Sequence, residues 1–415
     1  MVLLPPASRG YTHYQTPRFA DFPHAEWKSR IKTAQQSMAE DRIDCLVIME
    51  RENLRYFFGF QSGHWAIKSL QPAIGIIPVN DEPILVVPDF FLGTAEGLCW
   101  TREIWNQPNP HQPRSERELP KETAEIIKRI GSGNKTIALE MGPLGCMYIP
   151  RPLNDINTFM RSLPDAKFVD GDKVIWDCRM TKSPLEVDRM GISVNYLTSV
   201  ELAIVEEFRP GMMEVDLLKI INRTRADLGV GMGDDPIGYD HFICGIEKAP
   251  FADISALDGV PITKDFPINF DGCCPYKGYT PDSARIWQVG PITSEIKKAY
   301  DTIFEAEDAA QAMLRPGVKA KEVYESMYSV VRAAGYNAAD MGGHGTGLDC
   351  HEPPSIDGWN EQTIKEGMTL SIEPWLVDGK GTLFGIQDTF LVTEKNCKKL
   401  EALRRDIIQV SHSIL

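Results

Sequence analysis

The sequence predicts an α/β domain over residues 1–178 joined to an α+β domain over residues 179–415, the second built from two halves that repeat each other about a pseudo-twofold axis. Three observations lead there. A chain of 415 residues exceeds what one ordinary core holds. Its first part alternates helical and strand-like patterns, as α/β domains do. Its second part contains a helix-stop motif that recurs at a fixed offset with matching residues after it.

In chain order, residues 1 to about 20 are rich in Pro, Tyr and Arg and read as an arm ahead of the folded domain. Trp27, Ile31, Ala34 and Met38 recur at helical spacing, and Cys45 to Met49 reads as a buried strand. Ala73 to Ile77 and Ile84 to Val87 flank Asn80-Asp81 as a hairpin. Residues 106–120 form a Pro-rich, charged connection. Thr123 to Ile130 is then a helix and Thr136 to Leu139 a strand, and Lys167 to Val169 with Val174-Ile175 closes the domain near Cys178. The segment from Arg179 to Pro184 reads as the linker.

Beyond it, Phe208-Arg209-Pro210-Gly211, followed by Leu217, Leu218, Ile221 and Gly229, is echoed 106 residues later. The echo is Leu314-Arg315-Pro316-Gly317, followed by Val323, Tyr324, Met327 and Gly335. Each copy ends a long helical pattern, Leu185 to Glu207 or Glu295 to Met313, and starts a second helix. Two such helix–helix–strand halves leave a cleft between their sheets, and the acids and histidines of the second domain follow the first copy's helices.

Composition narrows the function classes. A net charge of −14 argues against nucleic-acid and anionic-membrane partners. No stretch is long enough to span a bilayer, and the run Met1 to Leu4 before Pro5-Pro6 is too short for a signal peptide. Nine cysteines without regular spacing fit reduced thiols in a cytoplasmic protein.

The chemistry gathers between Asp271 and Gln387. Two strand-like runs from Pro267 to Asp282 predict a hairpin turning at Tyr276-Lys277, with Asp271 opposite Asp282 on one face. A second hairpin turning at Lys380 pairs Glu373 with Gln387. Between them comes a glycine-dense loop, Gly342-Gly343-His344-Gly345-Thr346-Gly347, which leads to His351-Glu352. Taken singly, each acid reads as a turn cap. Two inward-facing polar pairs around His344 instead suit a divalent transition metal, Mn, Fe, Co or Zn. His351 is the nearest proton donor by sequence.

These segments resemble the "pita-bread" family of methionine aminopeptidases, prolidases, aminopeptidase P and creatinase. Its metallopeptidases carry Asp, a second Asp eleven residues on, His in a Gly-His-Gly context, Glu before Pro and Glu before Asp. Asp271, Asp282, His344, Glu373 and Gln387-Asp388 fall on that order, and His351-Glu352-Pro353 and Asp282-Ser283-Ala284-Arg285 match as well. The resemblance implies metal ligation by Asp271, Asp282, His344, Glu373 and Gln387, with His344, His351 and Glu373 in catalysis. It further implies a homodimer in which Trp65 and Lys68, on a loop of a creatinase N-terminal-like domain, help His351 bind a small substrate in the neighbouring subunit's cleft. Two departures stand out: Gln387 replaces the carboxylate that bridges two metals, and no histidine occurs between His241 and Asp271. They shift the expectation to a hydrolase of a small amide- or amidine-type carbon–nitrogen substrate, as in creatinase and ectoine hydrolase, with one metal or none. The alternatives are a metal-dependent Xaa-Pro dipeptidase or aminopeptidase and a metal-assisted lyase of the dimethylsulfoniopropionate type.

Overall fold

Cys45–Ile48 (β1) is buried at every position, as a strand covered on both faces must be. In the computed structural model of the chain the described residues are 16–66, 72–105, 119–142, 150–231, 238, 240–244, 262 and 266–410. They fall into two units, Met1–Arg179 and Met180–Leu415. The expected N-terminal arm lies outside the described residues up to 15, as do residues 106–118 of the charged connection.

In the first unit β1 is followed by Ile74–Pro78 (β2), Ile84–Val86 (β3), Glu103–Trp105 (β4), Thr136–Leu139 (β5) and Lys167–Asp170 (β6), in a sheet of order β4-β3-β2-β1-β5-β6. β1 runs antiparallel to β2 and parallel to β5. Helix His24–Glu40 buries Trp27, Ile31, Ala34 and Met38, the residues whose spacing predicted it. Val174 and Ile175 lie in a closing helix, Asp172–Arg179, that buries both. Helix Arg51–Phe58 escaped the sequence reading because eight residues span little more than two turns, too few for a helical period to stand out.

The second unit carries the repeat. Helix Pro184–Glu207 starts in a capping box of Ser183 and Glu186, with Pro184 in its first turn. Helix Glu214–Leu228 follows, and the second copy supplies Ser294–Met313 and Ala320–Ala333. The glycines keep the correspondence in their backbone angles: Gly211 and Gly317 both have φ of 92°. Hydrogen bonding repeats too. Gly211 N–H donates to Ile262 O and Ile262 N–H to Met212 O, while Gly317 N–H donates to Ile364 O and Ile364 N–H to Val318 O.

Asp240–Cys244 (β7), Phe266–Cys273 (β8) and Asp282–Val289 (β9) pair in turn, with Ile408–Val410 (β17) on the outer side of β9. The other sheet holds Met341–Gly345 (β10), Glu352–Asp357 (β11), Thr369–Ile372 (β12), Asp388–Val392 (β15) and Cys397–Lys399 (β16), in order β11-β10-β12-β15-β16. Trp375–Val377 (β13) and Leu383–Gly385 (β14) form a separate ribbon. This is the pita-bread arrangement. Leu197, Val200, Ile204, Leu217 and Ile221 from the first copy's helices bury against Ile268, Phe270 and Trp287 of the first sheet. Burial is worth roughly 1.5–3 kcal/mol for each large side chain among them. Among the described residues no helix is long and apolar enough to cross a membrane.

Glu201 of helix Pro184–Glu207 is buried, and its Oε1 has no hydrogen-bond partner among the described residues. Burial pushes it up to about 8; Arg285 opposes that rise and Asp388 adds to it. Above the ordinary Glu value of 4.5 the unfolded chain releases a proton that the folded chain retains until about 8. The folded state therefore binds more protons across that window, and Glu201 makes stability fall as pH rises through it, by up to about 1.4 kcal/mol per unit. Glu201→Gln is expected to flatten this decline and to raise the urea midpoint at pH 8, leaving the midpoint at pH 4 nearly unchanged.

Candidate functional site

The first hairpin turns one residue later than its sequence suggested. Tyr276 and Tyr279 exchange backbone hydrogen bonds across Lys277 and Gly278, both at positive φ (53° and 82°). That is the two-residue turn whose twist matches the strands, and Gly278 supplies the conformation at no steric cost. Asp282 therefore pairs with Cys273, and Asp271 with Ala284. Asp271 and Asp282 are diagonal neighbours rather than opposite ones. Moving the turn centre by one residue shifts each partner by two, so both acids keep the same face.

In the second hairpin Ile372 pairs with Asp388 and Trp375 with Gly385. The common register sets Glu373 level with Gln387, around a turn in which Asp378 Oδ1 accepts from Lys380 N–H and Thr382 N–H. The two hairpins meet where Ala284 and Gln387 exchange backbone hydrogen bonds of 3.2 and 3.1 Å.

His344 was expected on a loop; it lies instead on β10, between β11 and β12. The glycines beside it allow this. A Cβ on Gly343 would come within 2.2 Å of Ser371 O, and one on Gly345 within 2.3 Å of Pro353 O, so neighbouring strands approach closer than side chains permit.

Around His344 the polar atoms converge. Its Nδ1 lies 2.9 Å from Gly345 O, which makes Nδ1 a donor and turns Nε2 towards the acids. Nε2 lies 3.5 Å from Asp282 Oδ2, 3.6 Å from Glu373 Oε1 and 3.3 Å from Gln387 Nε2. Asp282 Oδ1 accepts from Ser371 Oγ at 2.8 Å and Oδ2 from Cys350 Sγ at 3.0 Å. Glu373 Oε2 accepts from Trp375 Nε1 at 3.1 Å. Glu373 Oε1 and Gln387 Oε1 are buried with no hydrogen-bond partner among the described residues.

The charges respond to this crowding. Burial opposes a charged His344, but Asp282 and Glu373 outweigh it and raise the imidazole to about 10. Burial would likewise raise Asp282, yet His344 and the hydrogen bonds to Asp282 hold it well below the usual carboxylate range. Burial lifts Glu373 to about 6 against the pull of His344. His351 keeps an edge in solvent but stacks on His344 at 3.9 Å, and desolvation together with the His344 charge lowers it to about 4. Two carboxylates converge on one imidazole nitrogen, and Glu373 Oε1 and Gln387 Oε1 are left without hydrogen bonds among the described residues; a divalent metal that displaces the imidazole proton fits this set. Asp282, His344, Glu373 and Gln387 are the residues that would hold it.

A cavity of about 510 Å³ opens onto this group, lined by Asn269, Asp271, His351, Glu373 and Trp375 among others. Asp271 therefore faces the cleft, two residues along the sheet from Asp282. Trp65 belongs to the other unit, in a single helical turn over Gly63–Ala66, with its ring edge-on to Phe60. Lys68 lies outside the described residues.

Three contributors were missed in the sequence. Trp375 fixes Glu373, and Gly385 across the strand makes room for it: a Cβ there would sit 2.0 Å from the indole. A tryptophan level with a glycine in a hairpin centred on Lys380 was the available signal. Ser371 and Cys350 both hydrogen-bond Asp282; Ser371, two residues from Glu373, faces the same side of its strand, whereas Cys350 had no periodic signal.

Comparison with known proteins gives the same picture of the chain as a whole. Residues 190–394 match the model of Metallopeptidase family M24, and residues 30–181 match the Creatinase/Prolidase N-terminal domain. An Xaa-Pro dipeptidase of Pyrococcus furiosus is 25% identical over 92% of this chain and 100% of its own length. The corresponding protein of Pyrococcus horikoshii is 27% identical over 91% and 98%. Among solved structures, an Xaa-Pro dipeptidase from Bacillus anthracis superposes with a TM-score of 0.78 at 17% identity, covering 92% of this chain and 99% of the other.

Gln387 is a neutral ligand where a carboxylate would add a negative charge beside Asp282 and Glu373. Gln387→Glu is expected to raise the affinity for Mn²⁺ by at least about tenfold, since metal affinity follows ligand charge, and equilibrium dialysis reads this directly.

Proposed function

We propose that this chain, which belongs to metallopeptidase family M24 and carries a creatinase/prolidase N-terminal domain, is a metal-dependent hydrolase of small Xaa-Pro-type peptides. The convergence of Asp282 and Glu373 on His344 Nε2, at 3.5 and 3.6 Å, carries this reading. It replaces the non-peptidase hydrolase favoured by the sequence alone, because relatives named for Xaa-Pro dipeptide cleavage match the chain almost end to end. A divalent metal held by Asp282, His344 and Glu373, with Gln387 and Asp271 beside them, supplies a polarised scissile carbonyl and an acidified water.

The chain's own residues do the rest. Ser371 and Trp375 each hold one oxygen of Asp282 and Glu373, which fixes the carboxylates before substrate arrives. His351, on the cavity wall and lowered to about 4, is neutral near pH 7. It takes the proton of the attacking water and returns it to the departing nitrogen. The cavity of about 510 Å³ suits a dipeptide-sized substrate. The protein then acts in the cytoplasm as a homodimer, with Trp65 serving the partner subunit's cleft.

Gln387 favours one second reading, hydrolysis of a small amide or amidine that is not a peptide, because the amide removes one negative charge from the metal set. Manganese-loaded protein is expected to cleave Xaa-Pro dipeptides. His351→Asn is expected to lower kcat by about 10²–10⁴-fold with metal content unchanged. An inert dipeptide panel alongside turnover of simple amides would transfer the assignment to the second reading.

A further inference from the structure

Asp282 also faces a second group of ligand atoms. Among the described residues, Asp282, Cys350 and His351 each offer one ligand atom within 4.8 Å of the other two. Cys350 Sγ already lies 3.0 Å from Asp282 Oδ2, and His351 lines the open cavity, so an ion has a route in. A carboxylate, a thiol and an imidazole make a softer set than Asp282, His344, Glu373 and Gln387. Thiolate selects zinc-like ions, whereas oxygen-rich sets with one imidazole take manganese readily.

We propose that Asp282, Cys350 and His351 form an inhibitory position for a thiophilic divalent cation, Zn²⁺ in the first instance, which shares Asp282 with the catalytic set. On binding, the Sγ–H proton now directed at Asp282 leaves to solvent and the thiolate coordinates the ion; no oxidant or reductant takes part. Occupancy engages the His351 nitrogen and so removes the proton carrier from the cleft, and it draws on Asp282, which the catalytic metal also needs. The same protein is therefore activated by one class of ion and switched off by another. The inhibitory consequence rests on the hydrolase reading above, while the site itself does not.

The test is a Co²⁺ titration of metal-stripped full-length protein under reducing conditions. A thiolate-to-cobalt charge-transfer band in the near ultraviolet is expected in the wild type and in Cys397→Ser, and is expected to vanish in Cys350→Ser. Cys397 serves as the control because it lies on β16, its Sγ directed at Gln311 O. In manganese-loaded protein, Zn²⁺ is expected to inhibit hydrolysis, and Cys350→Ser to need at least about tenfold more zinc for half-inhibition relative to its own uninhibited rate. A variant-free check is alkylation of wild-type Cys350, read by peptide mass spectrometry: zinc protection supports the site, and equal labelling with and without zinc overturns it. Absence of the band in wild type, or its persistence in Cys350→Ser, also overturns it. Failure to cleave any dipeptide counts against the hydrolase reading alone, because the band and the labelling need no substrate.

Discussion

The site depends on one contact between strands that are far apart in sequence: the paired backbone hydrogen bonds of Ala284 and Gln387. Arg285 locks that contact from behind. Its guanidinium donates to Ala284 O at 2.8 Å, to Gln387 O at 2.9 Å and to Asp388 Oδ1 at 2.5 Å, with Lys399 also paired to Asp388. Arg285 and Asp388 are almost wholly buried. A buried pair of this kind contributes little net stability, but removing one partner strands the other charge and typically costs about 3–5 kcal/mol. The clamp thus specifies register, setting Asp282 beside Gln387 and, through the second hairpin, beside Glu373.

Once the strands are held, burial does the electrostatic work. Two carboxylates and an imidazole packed out of water either share a proton or share a cation, and the rise of His344 to about 10 expresses that demand. The glycines of β10 belong to the same solution, since only their missing Cβ atoms let β10 approach β11 and β12 closely enough to bring His344 into the group. Outside this centre the protein tolerates other buried acids. Glu201 and Glu401 are both pushed up to about 8 by burial near the Arg285–Asp388 clamp, so neutral acids surround a charged pair.

Much of this was legible in the sequence because it is written locally. The 106-residue echo ends in glycines whose backbone angles repeat, and a hairpin centred on Lys380 follows from the spacing of its turn residues alone. The first hairpin misled by one residue because Lys277 adopts a positive φ that side chains other than glycine rarely take. His344 read as a loop residue because glycine-rich stretches lack strand propensity, and tertiary approach overrode that tendency. Cys350 became visible only in three dimensions, since its distant partner Asp282 is chosen by the packing of strands and not by spacing, whereas Trp375 lies two residues from Glu373 and was open to a local reading. The preference for a non-peptidase rested on Gln387 and on the lack of a histidine between His241 and Asp271, departures that change the chemistry of the site without changing the architecture around it.

The most direct test of the account is elemental analysis of purified wild-type protein beside Asp282→Asn, with hydrolysis measured before and after chelation. Wild-type protein is expected to hold at least one divalent transition metal per chain and the variant little or none, with activity that chelator removes and Mn²⁺ restores. A wild-type protein that holds no metal and hydrolyses its substrate undiminished after chelation would contradict it.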